Sequence, residues 1–156
     1  MFSKILVPLD GTPECEAALV PAIEIAKKFN SAVTLLSVTA GYGTILGASA
    51  AESFGSSGSV AAAAAVAEAN EDVAGAYLDG IRSERGTPAW ETVLAEGNSA
   101  DEIVAQARSL GVDLIVMATH ARSGLKRLFI GSVSEDVIRR CGIPVLVVHT
   151  LEEKDD

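Results

Sequence analysis

Cysteine, histidine, aromatic residues and positive charge are all scarce in this chain, and each scarcity closes off a class of function. The two cysteines, Cys15 and Cys141, and two histidines, His120 and His149, form no CxxC, no paired-histidine motif and no disulfide framework. A reducing cytoplasm is the compartment expected. Aromatic residues make up only 4% of the chain, which favours small side chains that let helices pack closely on β-branched strands. Twelve Lys plus Arg stand against 21 Asp plus Glu, for a formal net charge of −9. Nucleic acid is therefore not an expected partner, because duplex binding draws its affinity largely from neutralised phosphates. No apolar run is long enough to span a bilayer, and "MFSKILVPLD" at the amino terminus is interrupted by Pro8 with no cleavage pattern behind it. Neither a membrane partner nor export is expected. There is also no GxxxxGK[ST], GxSxG or HExxH, so P-loop, hydrolase-elbow and zincin chemistries lack their residues. No catalytic residue and no protein-held metal is expected.

What is present is a regular alternation. The 156 residues suit one domain, 1–156. "KILVPLD" (4–10), "AVTLLSV" (32–38), "WETVLAE" (90–96), "VDLIVMA" and "PVLVVHT" read as buried strands, being short apolar runs closed by turn signals. Between them lie segments with helical spacing. The first opens at Thr12 as N-cap with Pro13 behind it, the second runs from about Ser59 to Arg85, and "SADEIVAQARSLG" and "VSEDVIRRCG" supply the others. Five strands alternating with four helices predict an α/β fold with an open parallel sheet. The Gly/Ser-rich segment 41–59 has no period and reads as a flexible loop.

In such a sheet, ligands bind beyond the carboxyl ends of the strands, where strand order reverses. The residues placed there are Asp10, Thr39 and "ATHARSGLKRLFIGS" (118–132), which carries His120, Arg122, Lys126 and Arg127 without an acidic residue. Asp10 in "DGT" also suits an ordinary turn. Ser132 and Glu135 have capping-box spacing, while a helix starting beside Gly131 also offers oriented N–H groups to an anion. The two roles are compatible. Ser99 and Glu102 form a second such box without basic neighbours and read as structural. Cys15 stands near the first turn of its helix, where a lowered thiol pKa and simple packing are both open. His149 reads as structural.

The succession "KILVPLDGT", "LLSV" and "DLIVMATHARSGLKRLFIGSVSEDVIRRCGIPVLVV" resembles the universal stress protein family over nearly the whole chain. The resemblance implies a Rossmann-like, doubly wound sheet of order 3-2-1-4-5 with helices on both faces. It also implies a homodimer through the carboxyl-terminal strand. Many members bind ATP through G-x-x-G, nine residues, G-[ST]. The matching positions are Ala118 to Ala121, nine residues from Arg122 to Ile130, then Gly131-Ser132, so both leading glycines are alanine. The resemblance places Pro8, Asp10 and Val38 around adenine and ribose, and Met117 and Ala118 at the edge of the site. Ala121, Gly131, Ser132 and Val133 fall at the phosphates, with Arg122 adding attraction. A Cβ obstructs close backbone approach, and costs energy wherever glycine had adopted positive φ; Ala121, read as lying inside the loop, is the more exposed to that cost. The function implied is a stress-response regulatory or sensor module binding ATP or AMP, with Mg2+ arriving only with nucleotide. Two alternatives are a nucleotide-free homodimeric interaction protein of the same fold and a slow ATP hydrolase.

Overall fold

A computed structural model describes residues 1–40, 57–87, 89–121 and 131–151. Its elements are β1 (Lys4–Pro8), a 3-10 turn (Cys15–Ala18), α1 (Leu19–Phe29), β2 (Ala32–Thr39), α2 (Ser57–Arg85), β3 (Glu91–Glu96), α3 (Ser99–Ser109), β4 (Leu114–Ala121), α4 (Ser132–Cys141) and β5 (Val145–Leu151). All neighbouring strands pair in parallel, in the order β3-β2-β1-β4-β5. The expected order is therefore found. Of the segment read as a flexible loop, 41–56 lies outside the described residues, and 57–59 already belong to α2.

Alternation along the central strands fills both faces of the sheet, since successive side chains of a strand point oppositely. Ile5, Val7, Val33, Leu35 and Val116 share one core with Leu19, Ala22 and Ala26 of α1 and Leu78 and Ile81 of α2. Leu6, Leu36, Ile115 and Met117 share the other with Ile103, Val104 and Ala107 of α3 and Val137 and Cys141 of α4. Each fully buried Leu or Ile stabilises the fold by roughly 1.5–3 kcal/mol through its apolar area, so β1, whose Ile5, Leu6 and Val7 are all fully buried, anchors the molecule.

Local chemistry explains where the elements differ from expectation. Thr12 Oγ1 does accept from the Cys15 amide at 3.4 Å, but the chain behind it makes a turn and a 3-10 segment, and α1 proper starts at Leu19. Asn98, rather than Ser99, caps α3: its Oδ1 accepts from Ala100 and Asp101 N–H at 3.1 and 3.2 Å. In α4 the N-cap is Gly131, with no side-chain cap, because Ser132 is already the first helical residue. Glu135 instead pairs with Arg139 one turn on, at 2.6 Å. Neither S-x-x-E sequence forms its box. β4 is longer than its apolar run and carries on through Ala121, paired with Leu151.

Candidate functional site

The paired positions of β1 and β4 are Ile5 with Leu114 and Leu6 with Ile115. Beyond them β1 ends at Pro8, while β4 continues alongside β5 to Ala121. The two central strands thus part company at their carboxyl ends, and strand order reverses about this point. Here the chain leaves β1 through Leu9, whose amide still donates to Leu36 O at 2.8 Å, into Asp10 and Gly11.

Asp10 is exposed, and its Oδ1 accepts from the Thr12 amide at 2.9 Å and from the Thr12 hydroxyl at 2.6 Å. This is the turn chemistry that "DGT" announces, and Gly11 takes φ +84°, a left-handed conformation that a Cβ would strain. The turn holds a carboxylate at the rim of a cleft of about 240 Å3 between the ends of β1 and β2 and the side of α2. Gly11, Ser37, Val38, Thr39 and Ala40 complete the sheet side; Asn70, Val73, Ala74 and Tyr77 form the helix side.

Among the described residues, Asp10 is the one acidic residue of the cleft lining, and Glu16 stands behind Tyr77. The Tyr77 hydroxyl donates to Glu16 at 3.2 Å, and Arg85 lies 3.3 Å from the other Glu16 oxygen, so α2 is tied to the 3-10 turn behind Asp10. Burial, then the charge and hydrogen bond of Glu16, push the Tyr77 phenol far up. Burial is also the main reason that the Cys15 thiol is pushed up to about 11, followed by its hydrogen bond with Asp10. At neutral pH Cys15 is therefore a thiol. The lowered pKa left open by its helix-terminal position is overturned, because the Asp10 charge and burial outweigh any donor nearby.

The start of α4 stands against the carboxyl-terminal half of β4. The Gly131 amide donates to Thr119 Oγ1 at 2.8 Å, and a Cβ at Gly131 would stand 3.1 Å from that oxygen. A side chain here would press on Thr119 by a few tenths of an ångström, while the backbone itself, at φ −52°, is one that any residue can adopt. Thr119, 2% exposed, thereby fixes the amino end of α4 against β4, with Ser132 and Val133 exposed in the first turn.

The residues expected at a ligand are thus partly gathered. Asp10 and Val38 line one cleft, and Pro8 is half-buried at the end of the adjoining strand. Met117 and Ala118 are buried in opposite cores, so only their backbone can border a ligand. Ala118 and Ala121 are strand residues opposite Val148 and Leu151, and neither is among the residues of positive φ. The conformational cost expected of alanine there does not arise; Ala121 closes a strand rather than sitting inside a loop. Arg122, Lys126 and Arg127 lie outside the described residues. His149 is exposed on β5 and belongs to neither core. Tyr77, Asn70 and the contact by which Thr119 anchors Gly131 are not marked by any motif in the sequence. The signal for the first two was the i, i+3, i+4, i+7 spacing of Asn70, Val73, Ala74 and Tyr77 on an otherwise alanine-rich helix.

An acceptor carboxylate, an apolar wall of Val38, Val73 and Ala74, and a neutral phenol suit a planar, hydroxyl-bearing ligand. Among the described residues there is no group of three His, Cys, Asp or Glu that could hold a metal ion, and no helix long and apolar enough to cross a membrane. A family model described as the Universal stress protein family matches residues 1–149. The universal stress protein MJ0531 of Methanocaldococcus jannaschii is 32% identical over 150 residues, covering 95% of this chain and 82% of that protein. The solved structure of MJ0577, from the same organism, matches with a TM-score of 0.74 and 27% identity over 97% of this chain and 98% of that one. A universal stress protein solved in complex with cAMP matches with a TM-score of 0.62 and 21% identity, over 96% of this chain and 98% of its own.

Proposed function

Because this chain belongs to the universal stress protein family, we propose that it binds an adenine nucleotide, ATP or AMP, across the carboxyl ends of β2, β1 and β4, and serves as a regulatory module in stress response. The observation that carries the reading is the cleft at the carboxyl ends of β1 and β2, which pairs an apolar wall with the Asp10 carboxylate. A base fits the former, and ribose hydroxyls are donors for the latter. The cleft is smaller than the roughly 300–1,000 Å3 typical of whole-ligand sites, so phosphates would lie outside it, toward β4. There Gly131, Ser132 and Val133 open α4 without a side-chain cap, an arrangement favourable to anions. The complex of a relative with cAMP supports the ligand class. Any Mg2+ would come with the triphosphate. The sheet also ends on β5, whose Leu146 is 36% exposed, and pairing of this strand with its copy in a homodimer would cover the open edge.

The test is nucleotide extraction from the purified protein, with calorimetric titration of ATP, AMP and adenosine and light scattering on the same preparation. Recovered adenylate, measurable heat and a dimeric mass are expected. Asp10→Asn keeps the turn, since asparagine serves it equally, but gives up the charge-assisted bond, so affinity falls about tenfold while the melting temperature holds. No bound adenylate and no heat would leave a nucleotide-free interaction protein, and a monomer at high concentration would remove the dimer.

A further inference from the structure

The cleft holds more polar side chains than a ribose needs, and they differ in what already engages them. Asp10 offers only acceptor oxygens, suited to hydroxyl donors. Thr39 donates its hydroxyl to Ala95 O at 3.4 Å, and the Tyr77 hydroxyl is engaged with Glu16 at 3.2 Å. Ser37 is 6% exposed, close beneath the floor. Asn70 differs from all of these. It is exposed, it lines the cleft beside Val73 and Ala74, and among the described residues its amide makes no hydrogen bond.

A carboxamide presents one donor and one acceptor side by side in a plane. An adenine presents the complementary pair at its 6-amino group and N7, whereas guanine presents two acceptors, O6 and N7, along the same edge. A guanine in that position would set an acceptor against the Asn70 carbonyl. We infer that Asn70 is the residue that selects the base, reading the 6-amino/N7 edge of adenine from the α2 side while Val38, Val73 and Ala74 contact the ring. The inference rests on the proposed nucleotide site and adds to it a source of discrimination. Helix geometry supports the placement: residues 70, 73, 74 and 77 fall on one face, so the amide projects over the same cleft as the apolar pair below it.

The experiment is a set of calorimetric titrations of wild type and Asn70→Ala with ATP, GTP and 7-deaza-ATP, which lacks the N7 acceptor. Alanine at an exposed helix position raises helix propensity, so the variant folds. Wild type is expected to prefer ATP over GTP, and N70A to reduce that preference about tenfold, chiefly by weakening ATP. Loss of N7 should weaken wild type but leave N70A nearly unaffected, because the amide that read it is gone. Tight ATP binding with an unchanged ATP-to-GTP ratio in N70A would overturn the assignment of Asn70 and leave the nucleotide site standing. Equal sensitivity of both proteins to 7-deaza-ATP would overturn the edge assigned. Failure of the wild type to bind any of the three would overturn the nucleotide site and this inference together.

Discussion

Asp10 and Cys15 show how one side chain sets the chemistry of another. The thiol titrates at about 11 against an ordinary 9.0, from burial first and then from the bond to Asp10. A group whose folded pKa lies above its unfolded one contributes stability that is complete below pH 9 and lost as pH rises through 11. Urea midpoints of the wild type should therefore decline between pH 9 and 11 more steeply than those of Cys15→Ala. Thiol-exchange rates give a second reading. The pH at which Cys15 reacts at half its maximal rate should move down in Asp10→Asn, since the negative charge and the bond that oppose the thiolate are removed. An unmoved midpoint would separate the two residues. Little of this was legible from sequence, where Cys15 was only a cysteine near a helix start. The burial and the Asp10 contact that decide its pKa exist only after the turn has folded.

At the scale of elements, the strands were legible because burial on both faces writes itself as unbroken apolar runs such as "KILV" and "DLIVM". Helix starts were less so. Asn98, Ser99 and Glu102 offer two competing caps within one turn, and the extended backbone of Asn98, φ −76° and ψ 128°, lets its side-chain Oδ1 accept from two amides at once. Asn98→Ala should cost about 1 kcal/mol in the midpoint of chemical unfolding, whereas Ser99→Ala should change it by a few tenths or less. The reverse order would restore the capping box. The end of β4 was illegible for a different reason. Thr119, His120 and Ala121 carry no apolar run, and they are strand residues because β5 pairs with them through His149, Thr150 and Leu151. Within the site, Asp10 and Val38 follow from strand ends, but Asn70 and Tyr77 arrive from a helix that sequence alone cannot dock.

For the whole molecule, Asp113 is the fastening between the first strand and the fourth. Its carboxylate accepts from the Ser3 amide at 2.7 Å and the Lys4 amide at 3.0 Å, while its own amide donates to Lys4 O at 3.0 Å. Slight burial pushes this carboxyl up, but the two amides outweigh it and leave it below its usual 3.8. The stability it lends is thus present above pH 3.8 and lost as pH falls through the lower, folded-state value. Asp113→Asn should lower stability by about 1 kcal/mol at pH 7, with the gap to wild type closing as both are taken down toward pH 2; a gap independent of pH would assign the loss to packing. The same fastening has a consequence during synthesis. Ser3 and Lys4 leave the ribosome 110 and 109 residues ahead of the side chain that holds them, an interval of roughly 5–20 seconds at about 5–20 residues per second. Throughout it, the β4-facing edge of β1 has no native neighbour, although Ile5 and Leu6 are among the residues that the folded chain buries completely. The sheet must be completed from its middle, late, by a strand that arrives after three of the five are already made.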